Sequence, residues 1–182
     1  MPDLELPDVL ARRAHDAPAR AGSTRVVAVD GPSGAGKSTL AAALADRLAA
    51  QVVLVDDLMP GWAGLDEALR TLRRDVLEPL SRGQSGGYQR YDWVREQLAD
   101  HIAVPAGAFL VVDGCGSGGR ELAPYLSLLV WVDAGLELRF ERSMVRDGEV
   151  FRPHWDRWER ETQARFAREG TAGRADVVVD GS

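Results

Sequence analysis

Between Arg25 and Leu40 the apolar run Val26-Val27-Ala28-Val29 ends at Asp30 and gives way to Gly31-Pro32-Ser33-Gly34-Ala35-Gly36-Lys37-Ser38. The run is apolar and mostly β-branched and reads as a buried strand, while Thr39 to Leu48 is rich in strong helix formers. The glycines between them lack a Cβ, so successive backbone N–H groups can turn inward around an anion. The helix that starts there adds the positive end of its dipole. Strand, glycine turn and helix, in this order, make a cradle for polyphosphate.

The spacing G-x-x-x-x-G-K-[ST] is the P-loop pattern. It nominates Gly31, Ser33, Gly34, Ala35, Gly36, Lys37, Ser38 and Thr39 as the ATP-binding loop. Lys37 would reach the β and γ phosphates as a point charge, and the Ser38 hydroxyl would bind Mg²⁺. Lys37 is also the only lysine among 22 lysines and arginines, so a generic surface lysine is a poor account of it.

With 182 residues, 45% of them hydrophobic, the chain fits one compact domain with a sizeable core. A net charge of −6 argues against the basic face that nucleic acid requires, so a small-molecule partner is expected instead. Cys115 stands alone, which excludes an internal disulfide framework, and His15, His101 and His154 lack metal-ligand spacing. No run approaches the roughly 18 apolar residues of a membrane span, and a cytoplasmic protein is expected.

Residues 1–24 carry one short helical pattern, Pro7 to Asp16, and a linker from Pro18 to Ser23; the domain proper is expected over 25–182. Further apolar runs at Gln51 to Asp57, Ala108 to Gly114, Leu128 to Asp133 and Ala175 to Asp180 read as buried parallel strands. Helical spacing appears from Leu65 to Leu77 and around Arg120 to Leu126, Leu136 to Arg146 and Pro153 to Arg168. Strands alternating with helices give an α/β domain with a parallel sheet. Val94 to Val104 reads equally as a short helix or an extended ribbon.

Five apolar runs finish at aspartates, Asp30, Asp56, Asp113, Asp133 and Asp180, which places these carboxylates on the sheet edge where ligands bind. Capping a following helix or turn is enough to explain Asp133 and Asp180. Asp113 fits the holding of Mg²⁺, through water, opposite Ser38. Asp56 is better placed as the base that takes the proton of an attacking hydroxyl, with Asp57 as the alternative. Arg139, Arg142 and Arg146 share one helix face and suit a lid that stabilises a transferring phosphoryl group; a solvated basic face is the plain alternative. Trp155, Trp158 and Phe166 read as core or lid packing.

On Asp30 to Ser38, Asp56-Asp57 and the R-x-x-R-x-x-x-R-D helix from Arg139 to Asp147, the chain resembles the uridine kinase-like branch of P-loop kinases, over roughly Arg25 to Asp180. That branch also holds nicotinamide riboside kinase, pantothenate kinase and phosphoribulokinase. The resemblance implies a three-layer fold with a five-stranded sheet in the order 2-3-1-4-5 and a small helical lid at about 139–160. It implies Asp56 as catalytic base with Lys37, Arg142 and Arg146, and Arg139 with the ATP. It sets the acceptor near Asp57, Arg90, Tyr91, Asp92 and Trp93, and Arg174 beside the adenine. Leu58 and Met59 stand where the family shows aromatics, and Asp113-Gly114 where uridine kinases show Glu-Gly.

The expected activity is therefore an ATP- and Mg²⁺-dependent transfer of the γ-phosphoryl group to a hydroxyl of a small molecule, with a nucleoside as the leading acceptor. A nucleoside monophosphate kinase and a nucleotide-binding or ATPase module are the alternatives. Neither an LSGGQ-like signature nor an N-K-x-D motif is present.

Overall fold

A computed structural model describes residues 5–182. The strand β1 (Arg25–Asp30) is buried on both sides, and its alternating side chains build the layers. Val27 and Val29 face one apolar cluster; Val26 and Ala28 face the other.

The first cluster is covered by α1 (Leu6–Asp16) and α2 (Lys37–Leu48), through Leu10, Ala14, Ala41 and Leu44. Leu10 is fully buried, and burying a leucine contributes about 1.5–3 kcal/mol. The bonds from Arg47 to Asp8 and Glu5 on the same contact are exposed, where such pairs contribute about 0–1 kcal/mol. Apolar packing therefore docks α1.

The chain continues through β2 (Gln51–Leu54), α3 (Val55–Leu58) and α4 (Leu65–Thr71). A π-helical turn at Leu72–Leu77 leads to α5 (Glu78–Ser81), with Pro79 in its first turn. An antiparallel hairpin follows, β3 (Gly86–Asp92) with β4 (Gln97–Val104), and then β5 (Phe109–Asp113) and β6 (Leu126–Asp133). The lid comprises α6 (Leu136–Phe151) and α7 (Trp155–Glu169); α8 (Thr171–Arg174) and β7 (Val177–Asp180) close the domain.

All neighbours in the five-stranded sheet are parallel, in the order β2-β5-β1-β6-β7. Counting only the sheet's own strands, this is 2-3-1-4-5, as the resemblance implies; the hairpin merely shifts the numbers. Asp113 is level with both Val29 and Leu54, so β1, β2 and β5 end together at one edge.

Of the two readings left open for Val94 to Val104 the extended one holds: the chain turns through Glu96 and runs on as β4. Other elements differ from the sequence reading. Around Arg120 to Leu126 only a 3-10 turn forms, at Ala123–Tyr125, because Gly116, Gly118 and Gly119 precede it and Pro124 sits inside it. Asp56 and Asp57 belong to the single turn α3 and not to the strand. The break expected after Arg146 is a kink at Gly148, φ 56° and ψ −135°, with the helix resuming to Phe151. No helix among the described residues is long and apolar enough to cross a membrane.

Candidate active site

β1 delivers the glycine turn to the level end of the sheet, and α2 starts directly after Gly36. Gly34 and Gly36 sit at φ 78° and 99°, in the region where L side chains are strained. A Cβ at Gly34 would also run into the backbone of Arg139, so loop and lid touch there. Lys37 is 8% exposed and curls back to donate to the Pro32 carbonyl at 2.9 Å. Ser38 and Thr39 open outward.

Three cavities adjoin this loop. One of about 190 Å³ is bordered by Gly34, Gly36, Lys37, Thr39 and Arg142. A small one of about 60 Å³ lies among Lys37, Asp56, Asp113 and Cys115. The largest, about 450 Å³, brings Asp56 and Asp147 together with Trp62, Trp93, Phe151 and Trp158. Ser38 and Arg146 border all three.

Burial dominates the electrostatics. Asp30 has no exposed surface and is pushed up to about 6 by desolvation, although the amides of Gly31, Gly116 and Gly118 donate to it at 2.7–2.8 Å. Desolvation also raises Asp113, with the Ser38 hydroxyl and Lys37 pulling it back. Asp113 is 4% exposed, and its Oδ1 is buried without a hydrogen-bond partner. Burial raises the Cys115 thiol as well, and that thiol donates to the Gly31 carbonyl at 3.3 Å.

The lid holds the loop from the other side. Trp158 on α7 donates its N–H to Ser33 Oγ at 2.9 Å, and Arg139 forms a fork to Glu159 at 2.7 and 2.9 Å.

With this geometry in place, the comparisons with known proteins locate the chain. The profile of the AAA domain family matches residues 20–116, just over half of the sequence and including the whole P-loop. The chain belongs to the AAA domain family. The fold of this AAA-domain protein is similar to that of a possible uridine kinase from Bacillus stearothermophilus, with a TM-score of 0.71 and 20% identity over 96% of this chain and 97% of that one. It is similar to a candidate fructose transport system kinase from Silicibacter sp., TM-score 0.61 and 18% identity over 97% and 99%. Shikimate kinase from Bacteroides thetaiotaomicron follows at a TM-score of 0.51 and 16% identity over 86% of each chain. At these identities the likeness is one of fold, and it extends over the lid, beyond the family match. No curated protein sequence matches the chain.

The nominated residues of this AAA-domain chain fall into two groups. Lys37, Ser38, Asp56, Asp113, Arg142 and Arg146 converge on the cavities described above. Arg142 also donates to the Gly181 carbonyl at 2.6 Å, and Arg146 is bonded to Asp147. Asp56 is exposed toward the cavities, whereas Asp57 turns to Tyr88 and Arg90, and burial raises its pKa.

Other nominated residues are placed elsewhere. Arg139 does not line the phosphate cavity with its two helical neighbours. It is 4% exposed and committed to Glu159, Ala134 O and Ser33 O beneath the loop. Arg174 ends α8, three residues before β7, whose first residue Val177 is level with Asp113 through Val130 and Val29; its guanidinium donates to the Glu169 and Gly118 carbonyls and borders none of the three cavities. In the hairpin, Arg90 is paired with Asp100 at 2.6 Å, and Asp92 accepts the amides of Val94 and Arg95 at 2.9 Å, which shapes the turn. Tyr91 meets Trp93 edge-on, and of these four only Trp93 lines the large cavity.

Sequence reasoning missed Asp30 as the tether of the 114–119 loop and Trp62 as a cavity wall. A tryptophan placed two residues after Pro60 in a loop just beyond Asp56-Asp57 is the signal that was available for Trp62.

Proposed function

We propose that this chain is a kinase that binds ATP with Mg²⁺ and transfers the γ-phosphoryl group to a hydroxyl of a small molecule, with a nucleoside as the leading acceptor. One observation carries this reading: the Asp56 carboxylate borders both the small cavity beneath Lys37 and Ser38 and the large aromatic one. A hydroxyl entering from the aromatic side meets the Asp56 carboxylate next to Ser33 and Ser38 of the phosphate loop.

In the proposed reaction the acceptor oxygen attacks the γ phosphorus, the bond to the β–γ bridging oxygen breaks, ADP leaves, and the hydroxyl proton passes to Asp56. Lys37 and the N-terminus of α2 hold the phosphates, and Arg142 and Arg146 face them from the lid. Ser38 and Asp113 would hold Mg²⁺; the partnerless Oδ1 of Asp113 suits a carboxylate with bonding capacity left for the metal's ligand shell. Bound there, Mg²⁺ would neutralise phosphate charge.

A monophosphate acceptor needs free cationic clamps, and Arg146 is tied to Asp147 while Arg90 is tied to Asp100. The AAA-domain match favours a different second reading, an ATPase that needs no acceptor. ADP release in the presence and absence of nucleosides separates the cases. Acceptor-dependent release is expected; release that ignores every acceptor supports the ATPase, and release driven by monophosphates alone supports the monophosphate kinase. Asp56→Asn should keep ATP binding and lower kcat by about 10²–10⁴-fold. Near-normal turnover in that variant removes Asp56 as the base.

A further inference from the structure

The large cavity sorts its lining by chemistry. Its polar side chains are Ser33 and Ser38 of the phosphate loop, Asp56 and Arg146 that face it, and Asp147 bonded to Arg146. The remaining wall is apolar, chiefly Met59, Trp62, Trp93, Val150, Phe151 and Trp158. Two of the three indole N–H groups are already used inside the protein: Trp93 donates to the Asp56 carbonyl at 3.0 Å and Trp158 to Ser33 Oγ at 2.9 Å. The Trp62 N–H is one donor, and both purine and pyrimidine edges carry an acceptor for it.

The aromatic wall is assembled from three separate segments. Trp62, in the α3–α4 loop, lies parallel to Phe151 of the lid at 5.0 Å and 5°, and to His154 at 4.6 Å and 17°. It is tilted against Trp93 at the hairpin tip, 4.8 Å away. Such a wall offers ring faces and almost no hydrogen-bonding pattern. Charge points the same way, since two carboxylates stand against one guanidinium that is already bonded to one of them. An anionic acceptor finds no unpaired cation in the lining.

Resting on the kinase reading above, we infer that the acceptor is a ring-bearing alcohol without negative charge, held by stacking against Trp62 and its aromatic neighbours, and that its ring edge is not read. Purine and pyrimidine ribosides are therefore accepted alike, while a sugar without a ring base or an anionic alcohol is refused. The volume of about 450 Å³ lies within the usual range of small-molecule pockets.

The test compares kcat/KM for uridine, cytidine and adenosine with that for ribose, shikimate and uridine monophosphate, alongside tryptophan-fluorescence titrations with uridine and adenosine. The three nucleosides should fall within about tenfold of one another and at least about a hundredfold above the other compounds, and both titrants should quench. Trp62→Ala should raise KM for nucleosides between about fivefold and 150-fold, the span of a lost base–aromatic stack, and leave KM for ATP in place. Trp62→Phe should recover much of that loss, which separates stacking from misfolding. A preference above a hundredfold for one base overturns the inference, as does efficient use of ribose, shikimate or the monophosphate. Equal quenching by uridine and adenosine with no acceptor-dependent ADP release instead defeats the kinase reading and leaves the ring-binding cavity standing. Absent quenching with nucleoside-dependent turnover defeats the stacking.

Discussion

Asp30 shows how one side chain couples the phosphate loop to the rest of the edge. Its carboxylate is sealed from water and accepts three glycine amides, two of them from the 114–119 loop. Its pKa rises from 3.8 in the unfolded chain to about 6 in the folded one, so between those values the folded state holds the extra proton. The contribution of this group to stability therefore falls as pH rises through about 4 to 6, by about 3 kcal/mol, and is constant above. Asp30→Asn should lack this component: the change in stability between pH 4 and pH 7, measured by urea denaturation, should differ between the variant and the parent by about that amount, and equal changes would refute the assignment. The sequence announces Asp30 only as the end of a strand, because its partners lie 86 and 88 residues further on. Asp56 is different, since its position after an apolar run and beside a P-loop edge makes its place at the cavities readable locally. Its separation from Asp57 is not readable, because it depends on which way one helical turn faces.

At the scale of elements, α6 and α7 work as a clamp on the P-loop. Arg139 bridges Ser33 and Glu159, and Trp158 reaches the same serine through its side chain. Removing one partner of a buried pair strands the other charge, at about 3–5 kcal/mol. Arg139→Met should cost about 3 kcal/mol, toward the low end because Glu159 keeps 17% of its side chain in water. Chemical denaturation measures it, and a cost below about 1 kcal/mol would mean the pair does not hold the lid. The i, i+3, i+7 spacing correctly gathers three arginines on one helix, yet it cannot tell that the first turns under the loop toward an acid on the next helix. The hairpin was ambiguous for a related reason: β4 is exposed along most of its length, with buried and exposed residues in no strict alternation, so neither periodicity prevails.

Over the whole molecule, nucleotide and fold share one free-energy balance. A non-hydrolysable ATP analogue at 100 times its Kd should add about 2.7 kcal/mol, which for a chain of this size corresponds to a Tm rise of about 5–10 °C. No shift at millimolar analogue would deny the P-loop its ligand. The sheet was legible because each strand is a continuous apolar run stopping at the same edge, a pattern that needs no long-range knowledge. The aromatic cavity was not, since Trp62, Trp93 and Phe151 come from three segments that only tertiary packing unites. The lone lysine has a last, practical meaning. An amine-selective acylating reagent finds a single ε-amino group in this sequence, and it belongs to Lys37 of the P-loop, the proposed partner of the phosphates. Acylation of the peptide that spans the loop, counted by mass spectrometry, therefore footprints nucleotide occupancy with no second lysine to dilute the signal.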